Sequence, residues 1–170
     1  SDEIKMRYSA EDVPMILSSE PGVWAYSESG NGTGYSYVTI RGFDQSRIAV
    51  FFDGVPLNDN ESHQVYWVDH GDLLSDVDNI QIQRGIGNNL YGSSAFGGSI
   101  NVNTKIASDE REISGTIGSG DWNTQKIRAS YRSGSDLGDD LSLAVRLSDI
   151  KSDGYRQFHD SYQRGFSLGL

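Results

Sequence analysis

The chain has 170 residues, of which 36% are hydrophobic and 22% charged, a composition typical of a folded protein rather than a disordered one. A formal net charge of -10 argues against nucleic acid or anionic lipid as the main partner, and the absence of cysteine excludes disulfides and thiolate metal sites. The longest apolar run is residues 48–52, well short of the roughly 18 residues of a transmembrane helix. Transmembrane β-strands escape this criterion because they alternate apolar and polar residues.

Short helices and strands are predicted in irregular order before residue 105. Residues 9–19 predict a helix, with Asp12 as its N-cap and Pro14 in its first turn, where a missing N–H costs little. Pro21 and Gly22 are expected to end this helix. The later predictions are strands at residues 37–41 and 47–52, a turn at Asp53-Gly54, helical turns at residues 72–77, and strands at residues 79–83 and 99–104.

After the polar stretch 107–111, apolar and polar residues alternate with a period of two. The alternating segments are residues 113–117, 126–132, 141–148 and 166–170, each of which predicts a strand. Their polar positions carry several cations, namely Lys126, Arg128, Arg132 and Arg146. Strands that face a wet or polar-filled lumen have this pattern, but an ordinary β-sandwich alternates as well. The alternation alone leaves both architectures open.

Two stretches combine strand, arginine and glycine signals. The first is Val-Thr-Ile-Arg-Gly-Phe at residues 38–43, followed by a strand that ends in Phe-Asp-Gly-Val-Pro-Leu-Asn at residues 52–58. The second is Ile-Gln-Ile-Gln-Arg-Gly at residues 80–85, then Leu-Tyr-Gly and, further on, Phe-Gly-Gly-Ser-Ile-Asn. In order and spacing these motifs resemble the plug domain of TonB-dependent receptors over residues 13–105. Each motif is weak by itself, whereas the set is specific.

The resemblance implies an α+β plug domain of mixed short strands and helices, followed by the first antiparallel strands of a transmembrane β-barrel. It places the plug at residues 1–106 and about four barrel strands at residues 107–170. Because four strands cannot close a barrel, the chain is expected to be a fragment of a barrel of about 22 strands. The implied location is the outer membrane of a Gram-negative-type bacterium. Residues 118–123 and 151–162 would then be external loops, and residues 134–140 a periplasmic turn.

The implied function is the binding and active import of a scarce nutrient. In this family the nutrient is most often a ferric siderophore or another iron complex, with haem, cobalamin or an oligosaccharide as alternatives. The implied partners are the TonB energy-transducing complex on the periplasmic side, the rest of the barrel, outer-membrane lipid and the small-molecule nutrient. The segment that TonB grips is not recognisable before Ser9. No cofactor, catalytic residue or nucleic-acid partner is implied.

The resemblance also assigns roles to single residues. Arg41 and Arg84 would form ion pairs with glutamates on the inner barrel wall, a task that suits the planar fork of a guanidinium; otherwise they are exposed strand ends. Ligands would be contacted by the apical plug loops 29–36, 44–46 and 58–67. The candidate ligand-binding residues are Tyr35, Gln45, His63, Tyr66 and Trp67, each of which has packing as its alternative role. The candidate structural glycines are Gly42, Gly54, Gly85, Gly92, Gly97 and Gly98.

Two other classes of protein remain as alternatives. One is a soluble β-rich binding or adhesion module, and the other is a carbohydrate-active enzyme, although no pair of carboxylates is singled out for it. His63, Asp69 and His70 match no spacing of metal ligands, so no metal site is expected.

Overall fold

The computed structural model describes residues 10–85, 95–104, 110–137 and 141–169. No helix in these ranges is long and apolar enough to cross a membrane. The helix and strands are α1 (Val13–Leu17), β1 (Val23–Ser27), β2 (Ser36–Ile40), β3 (Ile48–Phe52), β4 (Val55–Pro56), β5 (Val77–Arg84), β6 (Gly98–Thr104), β7 (Glu112–Gly120), β8 (Thr124–Arg132), β9 (Ala144–Ser152) and β10 (Ser161–Gly169). Short 3₁₀ turns lie at Gln45–Arg47, Trp67–His70, Leu73–Asp76 and Gly134–Leu137.

The first two sheets and α1 form one α+β unit. Strands β1 and β2 make an antiparallel ribbon, while a mixed sheet has the order β4-β3-β6-β5. Strand β6 is central because β3 runs parallel to it and β5 antiparallel. The apolar faces of these elements share one core, made largely of Val13, Leu17, Val38, Ile40, Ile48, Val50, Val65, Trp67, Leu74, Ile100 and Val102. This arrangement confirms the α+β fold expected for the first part of the chain.

The opening helix is shorter than the sequence predicted. Asp12 is the N-cap and the proline lies in the first turn, as expected, but the helix ends at Leu17 and not at residue 19. It ends early because the hydroxyls of Ser18 and Ser19 donate to carbonyls of its last turn, which satisfies those acceptors without another turn. The Asp12 side chain makes no capping bond and accepts a hydrogen bond from Ser36 Oγ at 2.6 Å instead.

Strands β7 to β10 form a separate antiparallel meander with the order β10-β9-β8-β7. It confirms four strands in the alternating part of the chain, with shifted bounds. Strand β9 begins at Ala144 and not at residue 141, so the connection after β8, which ends at Arg132, is longer than the predicted turn 134–140, whereas the other two connections are shorter than expected. Pairing of β7 with β8 continues to Gly120 opposite Thr124, so the predicted loop 118–123 is reduced to a turn at residues 121–123. Likewise β9 runs on to Ser152, which leaves residues 153–160 for the next connection. The end of β7, Gly118-Ser119-Gly120, gives little side-chain alternation, so its pairing could not be read from the sequence pattern.

The meander is mainly apolar on its exposed side and mainly polar on its buried side; the exceptions include the exposed Arg164–Asp149 ion pair and the buried Ile150. Ile113, Ile117, Ile127, Leu147, Phe166 and Leu168 are between 55% and 86% exposed. By contrast, Lys126, Arg146, Ser148, Ser152 and Gln163 are at most 8% exposed. A strand in a soluble sandwich buries its apolar residues and exposes its polar ones. The reverse distribution is that of a membrane barrel wall whose inner face is covered, here by the plug.

The crowding around Gly98 gives a stability prediction. Gly98 has a φ of +146°, and a Cβ there would overlap the carbonyl oxygen of Gln83 on β5. Replacement of Gly98 by alanine should therefore add steric overlap to a backbone strain of about 1–3 kcal/mol. We expect faster amide hydrogen exchange across β5 and β6.

Gly42 supplies the matched control. It also has a positive φ, of +81°, but a Cβ there would meet nothing within 4 Å. Gly42→Ala should carry the backbone strain alone and leave β5 and β6 better protected than Gly98→Ala does. Equal exchange in the two variants would contradict the role given to the overlap.

Candidate functional site

The loop at residues 58–67 is fixed to the mixed sheet by one amide side chain. The Val50 backbone N–H donates to Asn58 Oδ1 at 2.8 Å, while Asn58 Nδ2 donates to the Ile48 carbonyl at 2.9 Å. The same nitrogen also donates to the His63 carbonyl at 2.9 Å. The Asn58 side chain therefore bonds to the backbone of β3 as a neighbouring strand would, and it also connects the His63 carbonyl to that strand.

Asp59 closes the tip of this loop. Its Oδ1 accepts hydrogen bonds from the Ser62 backbone N–H at 2.7 Å, from the Ser62 hydroxyl at 2.8 Å and from the Glu61 backbone N–H at 3.1 Å. These bonds, first those from Ser62, lower the pKa of the Asp59 carboxyl. The loop therefore has a defined shape, in which His63 adopts a φ of +58°.

The five candidate ligand-binding residues divide into two groups by burial. Gln45 and Trp67 are buried and bonded to each other, because Trp67 Nε1 donates to Gln45 Oε1 at 3.2 Å. Gln45 Nε2 also donates to the Val65 carbonyl at 2.9 Å, so this pair supports the loop from below. His63 and Tyr66 lie exposed on the same loop. Tyr35 is exposed as well, on the separate connection between β1 and β2.

The connection between β1 and β2 touches the ends of β9 and β10. Asn31 Nδ2 donates to Ser152 Oγ at 2.6 Å, and the hydroxyls of Thr33 and Ser161 lie 3.2 Å apart. Both serines flank the connection 153–160, which corresponds to the predicted external loop. The predicted apical loop 29–36 therefore lies beside that connection.

Arg41 and Arg84 come together at one end of the plug. Arg41 lies across Gly85, where a Cβ would be 3.2 Å from its Nη1. The neighbouring Arg84 pairs with Glu20 at 3.4 Å, and both of these side chains are partly exposed. The two cations thus share one surface. Among the described residues neither arginine pairs with a glutamate of the wall strands. The expected pairing with barrel glutamates therefore stays a prediction.

The candidate glycines mostly lie at turns or close approaches. Gly42, Gly54 and Gly85 have positive φ angles, and Gly54 with Asp53 forms the predicted turn between β3 and β4. A Cβ on Gly97 would overlap the side chain of Phe43. Gly92 lies outside the described residues. In the described part of the chain no three His, Asp or Glu side chains are grouped as metal ligands.

Asp72, to which the sequence motifs assign no role, joins the plug to the meander. Asp72 Oδ1 lies 2.8 Å from Lys126 Nζ on β8, and Arg146 Nη1 on β9 donates to the Asp72 carbonyl at 3.0 Å. The signal in the sequence is slight: a Gly-Asp pair before a short helical turn, and cations on two alternating strands. Nothing local indicates that these groups meet.

The family model of the TonB-dependent receptor plug domain matches residues 1–99. The chain belongs to the TonB-dependent receptor family. Among curated relatives, the vitamin B12 transporter BtuB of Vibrio vulnificus strain YJ016 is 32% identical over 142 residues, which is 83% of this chain. The ferrienterobactin receptor of Escherichia coli K12 is 30% identical over 120 residues, or 65% of this chain. The matches cover only 22% and 16% of these two relatives.

Solved structures of TonB-dependent receptors have the same fold. The ferric-catecholate import receptor Fiu from E. coli K12 has a TM-score of 0.72 at 19% identity, covering 99% of this chain and 23% of that one. The siderophore receptor PiuA from Acinetobacter baumannii has a TM-score of 0.68 at 19% identity, covering 92% of this chain and 21% of that one. The described α+β unit and meander therefore correspond to one part of a larger receptor fold.

The buried carboxyl of Asp12 gives a pH prediction for this plug. Burial raises the pKa of Asp12 from 3.8 to about 7, although the bond from Ser36 opposes the shift. The folded state therefore takes up a proton between these two pH values. This stabilisation is complete below about pH 4 and is lost as the pH rises through 7. Amides of α1 and β2 should be better protected from hydrogen exchange at pH 5 than at pH 8, after correction for intrinsic rates.

Asp12→Asn should flatten this pH dependence. Glu11, whose pKa is also raised by burial, shifts in the same direction, so a smaller slope is expected to remain. Asp160→Asn, at an exposed position between β9 and β10, is the control and should leave the slope unchanged. A wild-type slope in Asp12→Asn would show that another group sets the pH dependence.

Proposed function

We propose that this chain is the plug and the first wall strands of an outer-membrane receptor that actively imports a scarce small nutrient. The supporting observation is the meander, whose apolar face is open while its polar face is buried against the plug. Neither a soluble binding module nor a soluble enzyme gains from that distribution, since the exposed apolar face would favour aggregation in water. The proposed division remains residues 1–106 for the plug and 107–170 for the wall, with a boundary outside the described residues.

The proposal includes the rest of the barrel as a partner. Strands β7 and β10 are the edges of the meander in the described ranges. In lipid, unpaired backbone groups at such edges would each cost roughly several kcal/mol, so both edges need neighbouring strands. Outer-membrane lipid would then cover the apolar face, and the TonB complex would act on the plug from the periplasmic side.

The proposed nutrient is an iron complex, above all a ferric siderophore. Relatives with enterobactin in their names and relatives that transport vitamin B12 match comparable parts of the chain, which supports both iron complexes and cobalamin as candidates. Haem and an oligosaccharide are the further candidates.

Ligand contact is proposed for the exposed members of the candidate set. Tyr35, His63 and Tyr66 offer rings and polar atoms on two loops. Aromatic faces with few polar groups are the usual lining of small-molecule sites. Gln45 and Trp67 would act from below, because their mutual hydrogen bond fixes the loop that carries His63 and Tyr66. A pre-shaped loop loses little conformational entropy on binding.

Growth of a deletion strain on a panel of iron and carbon sources tests the function and identifies the nutrient. Loss of growth on one iron complex, restored by the intact gene, is the expected result. With that nutrient in hand, Tyr66→Ala in the complete receptor should weaken binding about tenfold or more, measured as Kd on isolated outer membranes.

Tyr162→Ala is the matched control for this measurement. Tyr162 is an exposed tyrosine whose side chain lies on the outer face of β10, opposite to the face from which Ser161 contacts the loop at residues 29–36, so its loss should leave Kd unchanged. Normal growth of the deletion strain on every source would contradict an import function. Equal Kd for the two tyrosine variants would contradict ligand contact by Tyr66 but would leave the import function untouched.

The two arginines are proposed to hold one end of the plug through ion pairs with glutamates on barrel strands outside this chain. Arg41→Ala combined with Arg84→Ala should leave those carboxylates without partners and loosen the plug. We expect at least about tenfold faster hydrogen exchange in β2 and β5 of the complete receptor. Arg156→Ala, at an exposed position between β9 and β10, is the control. Wild-type protection in the double variant would rule out this role.

A further inference from the structure

Plug residues 71–75 lie directly on the inner face of the meander. A Cβ on Gly71 would overlap the side chain of Gln163 on β10. On the wall, a Cβ on Gly165 would crowd Ser148 Oγ and lie 3.5 Å from the Gly71 carbonyl oxygen. A bare backbone on both sides is therefore what allows the plug segment to approach the wall this closely.

Asp72 fixes this segment through both its side chain and its backbone. The ion pair with Lys126 is shielded from bulk solvent, because the side chains of Asp72 and Lys126 are 1% and 7% exposed. Arg146 holds the Asp72 carbonyl, and the Ser75 hydroxyl donates to the same carboxylate oxygen that faces Lys126. Asp72 adopts a φ of +60°, which turns the chain so that its carboxylate and its carbonyl oxygen both face the wall. Charged groups this deeply buried are strongly destabilised when one partner leaves.

A cavity of about 230 Å³ lies between the plug and the β7–β8 hairpin. Its lining includes Glu11 and Asn31 from the plug, and Trp122 and Lys126 from the wall. Lys126 therefore belongs both to this cavity and to the ion pair with Asp72. Asp72 is not among the lining residues, so Lys126 joins the cavity to a plug segment that lies outside its lining.

We propose that Asp72 is a positioning residue that latches plug residues 71–75 to wall strands β8 and β9, and that release of this latch opens the seam between plug and wall. This inference deepens the proposed transport function, and the biological role of the latch rests on that function. The latch differs from the arginine contacts in polarity, since here the plug supplies the anion and the wall supplies the cations.

The test uses a thiol reporter in the complete receptor in outer membranes. The chain contains no cysteine, so Leu74→Cys introduces one at a buried position inside the latched segment. In that background Asp72→Asn should raise the rate of labelling by a membrane-impermeant maleimide at least about tenfold. Asparagine tolerates the positive φ, so the backbone turn is kept. Lys126→Met should raise the rate similarly, and the double variant should not exceed the larger single effect.

Two controls separate a latch from general destabilisation. Asp12→Asn removes a carboxyl that is also buried but bonds within the plug, to Ser36, and should leave labelling at residue 74 within about twofold. Val38→Cys places a second reporter in the plug core, and Asp72→Asn should not accelerate its labelling.

Labelling at residue 74 that stays at the parent rate in Asp72→Asn or in Lys126→Met would overturn the latch. Equal acceleration at residues 38 and 74 would overturn it as well, because it would indicate unfolding of the whole plug. The assay needs no nutrient and no energy source. A receptor that failed to import would therefore still show, by its labelling rates, whether Asp72 holds the plug to the wall.

Discussion

The structure depends on polar groups that are buried between the plug and the inner face of β7–β10. Lys126 and Arg146 on that face are shielded from water and reach plug atoms, while the opposite face of the same strands is apolar and open. Such a sheet is stable only where lipid covers one side and hydrogen-bonding partners cover the other. The plug supplies those partners, so the two parts of the chain determine each other's conformation.

The same constraint organises the candidate ligand loops. The loop at residues 29–36 reaches the wall through the amide of Asn31 and the hydroxyl of Thr33, whereas the loop at residues 58–67 is held within the plug by Asn58. Only the first loop is therefore coupled directly to the wall through described residues. A ligand that touches both Tyr35 and Tyr66 would connect the loop that contacts the wall to the loop that is held within the plug. Its binding would therefore affect both the plug and its contact with the wall.

Local pattern was sufficient for most strands and for the family, because alternation and the Arg-Gly and Gly-Gly motifs are local. It failed for β1, whose Val-Trp-Ala-Tyr-Ser sequence has no polar alternation and becomes a strand only by pairing with β2. Local pattern also did not predict that Gln45 and Trp67 are buried while Tyr66 is exposed. Gln45 and Trp67 are hydrogen-bonded to each other across 22 positions of the sequence, a contact that no local pattern reveals. Asp72 was missed for the same reason, because Lys126 meets it only after the meander wraps the plug.

The contacts at the seam between plug and wall are not equal in strength, and their order bears on how the seam could open. The contacts of Asn31 with Ser152 and of Thr33 with Ser161 join neutral groups, which water replaces at a cost of about 1 kcal/mol each. Asp72 and Lys126 are charged and shielded from bulk solvent, so separating them would leave two poorly solvated, unpaired ions. The loop at residues 29–36 should therefore detach at far lower cost than residues 71–75. The lining of the cavity between plug and wall includes Lys126, so one side of this charged pair borders space that a solvent molecule could occupy.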